Sequence, residues 1–335
     1  MRVADAVDAA MEAAVVPSFT RVGAAVRSRL DRWTSEPARL DGRVIVITGA
    51  TSGLGLAAAR AWSAAGAAVE IVARNATKAG ATADALRSAT DGAVVGVTVA
   101  DTGDLDAMRA AGTSLAERHS SIDALVHNAG ALDAEHGYAS CGIERTLASQ
   151  VVGPFVLSAT LHDRLAAARP GRIVWVSSGG MYPEALSVAA LDIRPEGYRG
   201  TVAYARAKRA QVTLTEMMAA RVDPNAIVVH AMHPGWTLTP GVERSLPTFR
   251  RVMGPLLRTP EQGADTLVWL VADDGAPLAT TGGFWLDRRR RSLHKRPRTR
   301  ASDTAAERDR LWEWVTTAAG TDFPARSATG DRPAK

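Results

Sequence analysis

Ser178, Tyr204 and Lys208 are the residues whose types and spacing can do chemistry. Tyr204 and Lys208 stand four apart in the string YARAK, inside a helix-forming stretch, so they share one helix face. A phenol with its ordinary pKa of about 10 is a poor proton donor or acceptor near neutral pH unless its anion is stabilised. An ammonium one helical turn away is expected to lower that pKa by its charge. Ser178 closes the fifth apolar run, GRIVWVSS, with a hydroxyl that can hydrogen-bond a substrate oxygen. Together the three suit proton transfer at a carbonyl or alcohol oxygen during hydride transfer. A Tyr-x-x-x-Lys pair alone decorates many helix surfaces, so it is the combination that carries weight.

A second cluster would supply the hydride. Residues 48–55 read TGATSGLG, between the apolar IVI and the helix-forming LAAARAW, which is a strand, a tight turn and a helix. Glycines at Gly49, Gly53 and Gly55 let backbone approach a pyrophosphate, whose charge meets free amides and the positive helix end. Thr48, Thr51, Ser52 and Leu54 belong to the same expected cradle. Glycine is common throughout this chain, so the strand and helix on either side are what make the turn informative. Arg74 and Asn75 follow the next apolar run, where an acid usually receives the ribose hydroxyls of NAD; an arginine there suits a 2′-phosphate and points to NADP(H) over NAD(H). Asp101, after a third run, is placed to accept from an adenine amino group. Asn128, Ala129 and Gly130 follow a fourth.

These groups need a scaffold, and the chain has one written into its rhythm. Short β-branched runs at 43–48, 68–73, 93–99, 124–127, 172–177, 226–232 and 283–286 alternate with alanine-rich stretches of helical period. The pattern predicts an α/β fold: a single doubly wound Rossmann domain over 41–287 with a mostly parallel seven-stranded sheet, plus helical extensions at both ends. Residues 1–40 are expected to form two short amphipathic helices broken at Pro17. In 288–335 a basic stretch precedes a helix at 305–318, with Leu311, Trp312 and Val315 on its apolar side and Trp314 packing beside them. A disordered tail is expected over 320–335.

Composition narrows the partners. The 335 residues carry a formal +5, yet residues 288–300 hold eight Lys and Arg and no acid, leaving 32 basic against 35 acidic residues elsewhere. Nucleic-acid binding across the whole surface is therefore not expected. The basic stretch itself suits peripheral contact with an anionic membrane, or else a solvated or acid-paired run. Asp5, Asp8 and Glu12 interrupt the N-terminus where a secretory signal would be apolar, and no run of about 18 uncharged apolar residues occurs. With Cys141 as the single cysteine, a cytoplasmic location is the expectation. The seven histidines show no metal-ligand spacing, so no metal is expected.

TGATSGLG, HNAG, Ser178, YARAK and HPGWT, in this order along 41–287, closely resemble the short-chain dehydrogenase/reductase superfamily. Its member 12 branch is further resembled in VSSGGMY, KRAQVTLTE, MHPGWTLTPGV and EQGADTLVWL, in FTR at Phe19 and in FWLDRR at Phe284. The resemblance implies a nicotinamide cofactor, Tyr204 as acid/base, Lys208 as its partner at the nicotinamide ribose, and Ser178 orienting the carbonyl. Pro234, Gly235 and Thr237 would lie beside the nicotinamide, and a homodimer or homotetramer would be usual. Two features depart from the family pattern. Gln150 stands where an asparagine often completes the proton relay, and Ser178 and Tyr204 are 26 residues apart, about twice the common spacing. The intervening insertion is expected to be a substrate-side flap or a structural loop. Residues 238–259, where such enzymes shape the substrate pocket, mix Val242, Leu246, Phe249, Val252, Met253, Leu256 and Leu257 with Arg244, Arg250, Arg251 and Arg258, which suits a hydrophobic carbonyl or alcohol such as a retinoid, sterol or lipid-derived ketone. The alternative is a cofactor-binding regulatory or scaffold protein with little turnover, suggested by Gln150 and the two extensions.

Overall fold

Parallel strands joined by helices are what the alternation of β-branched and alanine-rich runs produces, as seen in a computed structural model that describes residues 3–33, 38–191 and 193–324. Three helices come first: α1 (Val3–Ala14), α2 (Val16–Phe19) and α3 (Arg21–Leu30). The first half of the sheet follows as β1 (Val44–Thr48), α4 (Gly53–Ala64), β2 (Ala68–Ala73), α5 (Ala76–Ala89), β3 (Val95–Val99), α6 (Leu105–Arg118) and β4 (Ala124–His127). Then come α7 (Arg145–Leu147), a π-helical turn at Ala148–Val152, α8 (Gly153–Thr160), α9 (His162–Ala168), β5 (Gly171–Val176), α10 (Gly200–Arg221) and β6 (Ile227–Met232). The chain continues through α11 (Pro240–Ser245), α12 (Pro247–Met253), α13 (Pro260–Ala272), β7 (Gly283–Leu286), β8 (Arg289–Arg290), α14 (Pro297–Ser302) and α15 (Ala305–Ala319).

The sheet order is β3-β2-β1-β4-β5-β6-β7-β8. Its direction of growth reverses between β1 and β4, and a crevice opens at the carboxyl ends of strands at such a switch point. The pairing is parallel until β8, which runs antiparallel to β7 with Trp285 opposite Arg290 and Leu286 opposite Arg289. The sheet therefore has eight strands, not the expected seven. The eighth escapes a hydrophobic pattern because it is two arginines held by main-chain pairing, after Asp287 and Arg288 turn the chain with φ of 52° and 56°. β3 starts at Val95 rather than at 93, since the Ala93 amide donates to Thr90 O and closes a turn.

Strand side chains alternate between two cores. Val46, Leu125, Ile173, Trp175 and Val229 face α6, α8, α10 and α15, whereas Ile45, Ile47, Ile71, Val126 and Val174 face α4, α5 and α13. Both cores are sealed, with most of these side chains fully buried.

Both extensions are folded against this body. The N-terminal one has three helices rather than two. Its breaks fall at Val15, with φ 61°, and at the extended Thr20, while Pro17 sits in the first turn of α2, where proline is tolerated. At the other end α15 runs one residue past expectation, from Thr304, whose side chain accepts from the Glu307 amide, to Gly320 in the left-handed region. Trp312 packs its edge on Phe155 and lies under the Arg221 guanidinium, 3.6 Å from its carbon. Disorder was expected from 320 onward, yet Phe323 is buried against Phe155 and His162, which fixes 320–324; residues 325–335 lie outside the described residues. Within the basic stretch Arg288 pairs with Asp265, Arg289 with Asp31, Arg291 with Asp8 and Lys295 with Glu12. Half of its eight cations are thus acid-paired. Among the described residues no helix is long and apolar enough to cross a membrane.

Candidate active site

The turn after β1 and the turn after β4 are tied into one rim. Thr48 Oγ1 accepts from the amides of Asn128, at 3.1 Å, and Ala129, at 3.0 Å, while Asn128 Nδ2 donates to Thr48 O and Gly49 O at 3.1 and 2.8 Å. Thr48 and Asn128 thereby shape the crevice through each other's backbones. Gly49 holds φ at +73° in this rim, a conformation costly for other residues. Ser52 begins α4 without a side-chain cap, so the first-turn amides beyond Thr51, from Gly53 through Leu54 to Gly55, remain available to an anion at the positive end of a twelve-residue helix. This arrangement fits a dinucleotide pyrophosphate. Thr239 and Pro240 lie just across from Gly53, and Ser245 Oγ donates to Leu132 O, so α11 arches over the strand ends above the switch point.

On the far side of this rim, Arg74 and Asp101 face each other loosely, with 3.9 Å between Nη1 and Oδ2 and the guanidinium side chain 79% exposed. Asp101 also accepts from the Gly103 amide at 2.9 Å. Asn75 caps α5 by accepting from the Lys78 amide at 2.8 Å, so its side chain is committed to the helix. Arg74, held among the described residues only by this long contact and largely exposed, is the cation of the group.

At the C-terminal end of β5, Ser178 and α10 bring the predicted reacting groups together. Ser178 Oγ accepts from the Gly180 amide at 3.0 Å and lies near enough to the Tyr204 hydroxyl to act on its pKa. Lys208 is 2% exposed, donates from Nζ to Val176 O at 2.9 Å, and lies 5.2 Å from the centre of the Tyr204 ring. Burial pushes the Tyr204 phenol up, with the Ser178 hydroxyl pulling the other way, and pushes Lys208 down from 10.5 to about 7. The expectation that the lysine charge lowers the phenol is thus not met by the protein's own groups: desolvation favours the neutral form of each.

Gln150 sits on the π-helical turn, an irregularity common at functional positions, and is 1% exposed. Its Nε2 donates to Ala131 O at 2.6 Å, and its main-chain oxygen accepts from Gln211 Nε2 at 2.6 Å. Gln150 Oε1, with no protein partner among the described residues, and Lys208 Nζ lie 3.1 and 3.5 Å from where a Cβ on Gly130 would stand. The two polar tips therefore flank one point on the β4 rim.

The turn carrying Pro234, Gly235 and Thr237 is held from a direction that sequence reasoning missed. The Trp236 amide donates 2.7 Å to Phe19 O of the N-terminal extension, and Arg258 Nε donates to Phe19 O and Thr20 O at 3.1 and 3.2 Å. Thr237 pairs as a parallel bridge with Arg258, and its hydroxyl donates to Pro234 O. Arg258, taken from sequence as one of the pocket arginines, is 1% exposed and points inward, where Asp287 binds both its terminal nitrogens at 2.6 and 2.9 Å. Asp287 also receives Arg27 at 2.6 Å, and Arg27 reaches Asp8 and Glu12. The only signals for this network were FTR and FWLDRR, strings more than 250 residues apart that the fold makes neighbours.

The insertion between Ser178 and Tyr204 is pinned rather than loose in its first half. Arg209, buried under it, donates to Met181 O, Glu184 O and Leu293 O, the Leu186 amide donates to Ser302 Oγ at 3.0 Å, and the Val188 amide bonds Glu307. Its seat is the C-terminal extension. Beyond the rim, α12 buries none of its residues: Val252 is 70% exposed, and Phe249 meets Trp236 edge to face.

A profile of the family described as short chain dehydrogenase matches residues 43–248. The chain is 33% identical over 276 residues to dehydrogenase/reductase SDR family member 12 of Bos taurus, spanning 82% of this chain and 86% of that protein. It is 30% identical over 277 residues to retinol dehydrogenase 12 of Homo sapiens, with 82% and 85% covered. The crystal structure of an uncharacterised protein from Mycobacterium paratuberculosis matches with a TM-score of 0.69 at 25% identity, over 87% of this chain and 99% of that one.

Proposed function

The chain belongs to the short-chain dehydrogenase family, oxidoreductases acting on CH–OH and C=O groups, and from that premise we propose an NADP(H)-dependent enzyme that interconverts a hydrophobic carbonyl and its alcohol. The observation that carries this is the meeting of Ser178, Tyr204 and Lys208 at the strand end beside the β1 and β4 rim. When bound, the nicotinamide supplies the hydride for reduction or accepts it in oxidation. Ser178 holds the substrate oxygen and Tyr204 gives it a proton as negative charge develops there. Lys208, already poised near neutrality, returns a proton to Tyr204, and Gln150 holds the outer end of that path beside Gly130.

Support for NADP(H) comes from Arg74, a charged fork at the end of β2 whose only ionic partner among the described residues is 3.9 Å away. Support for an apolar substrate comes from the exposed apolar residues of α12 and its flank, Val252 and Leu256, and from a relative whose name carries retinol, an apolar alcohol. A screen of NADPH oxidation and NADP reduction over hydrophobic carbonyls and alcohols tests the proposal. Wild-type protein should turn over at least one of them, and Tyr204→Phe should lose roughly 100-fold or more in kcat while binding NADPH as before. Unchanged turnover in Tyr204→Phe would reject the assigned acid.

A further inference from the structure

We infer that Phe19, carried by the N-terminal extension, is a positioning residue of this site: it wedges between the Ser178–Gly179 turn and the turn at 233–237 and sets their separation. The inference rests on the proposed function in that these turns would present the substrate oxygen and the nicotinamide to one another.

Phe19 is 4% exposed and touches both turns. Its ring would lie 2.6 Å from a Cβ on Gly179, the residue after Ser178, so any larger side chain there collides with it. The same ring meets His233 at 4.7 Å and Trp236 at 5.8 Å between ring centres. Its carbonyl takes the Trp236 amide at 2.7 Å, and a Cβ on Gly235 would stand 2.6 Å from that same oxygen. A glycine of each turn thus approaches Phe19, one at its ring and one at its backbone, although Gly235 also holds φ at +71° and would bring its Cβ 2.5 Å from Arg258 Nε. Gly179 has ordinary backbone angles, so only this close approach demands a glycine there.

The wedge is itself fixed on two sides. Arg258 donates to Ser18 O, Phe19 O and Thr20 O, holding three successive carbonyls of the segment. Lys295 of the basic stretch stands 5.0 Å from the centre of the Phe19 ring and 4.7 Å from that of Tyr182, while its ammonium pairs with Glu12. The body, through Arg258, and the C-terminal extension, through Lys295, thus hold Phe19 against the site. A residue that only filled a core would leave turnover of the folded enzyme unchanged on truncation; a wedge would not.

The test uses the full chain carrying Phe19→Leu, Phe19→Ala, Gly179→Ala and the pair Phe19→Leu with Gly179→Ala. Hydrogen exchange is followed by mass spectrometry over 177–182 and 233–238, with NADPH binding and steady-state rates at a temperature where every variant is folded. Phe19→Leu and Phe19→Ala should speed exchange of the Trp236 amide by about 10-fold and lower kcat at least as much as they raise KM. Gly179→Ala should lower kcat by 10-fold or more with NADPH affinity within twofold, and Phe19→Leu should restore at least threefold of that loss by making room. Unchanged exchange in both segments, or no rescue by the pair, would overturn the inference. If wild-type protein reduced no carbonyl while exchange still coupled the two turns through Phe19, the wedge would stand and the proposed reaction would fall.

Discussion

Replacing Asp287 with asparagine keeps the shape of the side chain and removes one charge from a dry cluster. Asp287 is 1% exposed, as is Arg258, and Arg27 is fully buried. Arg27 retains Asp8 and Glu12 after the change, but Arg258 has Asp287 as its only ionic partner among the described residues; its other acceptors are the carbonyls of Ser18, Phe19 and Thr20. A guanidinium cannot shed its proton to escape, so removing one member of the buried pair should cost about 3–5 kcal/mol. At a few degrees per kcal/mol for a chain of this size, the melting temperature should fall by roughly 6–15 °C. Urea denaturation and calorimetry at pH 7 read both quantities. The pH dependence has a definite sign. Burial opposes ionisation of Asp287 and of Asp8, but their arginine partners outweigh it and hold both below the ordinary range, Asp8 at about 2. Carboxyls depressed in the folded state stabilise it above their unfolded pKa of about 4, and that contribution drains away as pH falls toward 2. The gap between wild type and Asp287→Asn should therefore narrow across this window. A loss under about 1 kcal/mol at pH 7, or a gap that does not change between pH 5 and 2, would refute the view that this network seats the N-terminal extension.

Lys208→Met should be inactive yet more stable than wild type at pH 7 and below, by roughly 3–5 kcal/mol at most. The wild-type lysine falls from 10.5 to about 7 on folding, so its charging penalty is full below pH 7 and disappears as pH rises toward 10.5; stability measured against pH should climb over that window in wild type and lack this climb in Lys208→Met. Arg74→Ser should weaken NADPH binding by roughly 10-fold and leave NADH binding unchanged, as read by cofactor fluorescence titration.

How much was legible in the chain differs between the body and its ends. The strand–turn–helix around Gly49 to Gly55 and the four-residue step from Tyr204 to Lys208 are local patterns with fixed periods, and the fold keeps them as written. Gln150 was legible as a candidate but not as part of a π-helical turn, because one extra residue in a helix leaves no mark on hydrophobic spacing. The direction of the Tyr204 shift was misjudged from charge alone, since desolvation is a property of what surrounds a group and not of its neighbours in the chain. Arg258 looked like a pocket cation for the same reason: nothing near it in sequence says that Asp287 waits inside.

Sequence alone determined the doubly wound α/β body, the dinucleotide turn and the identity of the groups that meet at the strand ends, because each follows from short-range spacing and backbone sterics. Tertiary structure decided the rest. Of the eight cations in the basic stretch, whose fate the sequence left open, four are paired with Asp265, Asp31, Asp8 and Glu12, and the N-terminal segment, unremarkable as a pair of amphipathic helices, delivers Phe19 to the turn after Ser178. Ion pairs spanning more than 250 residues and a ring set between two glycines have no period to read, and exist only once the chain has closed on itself.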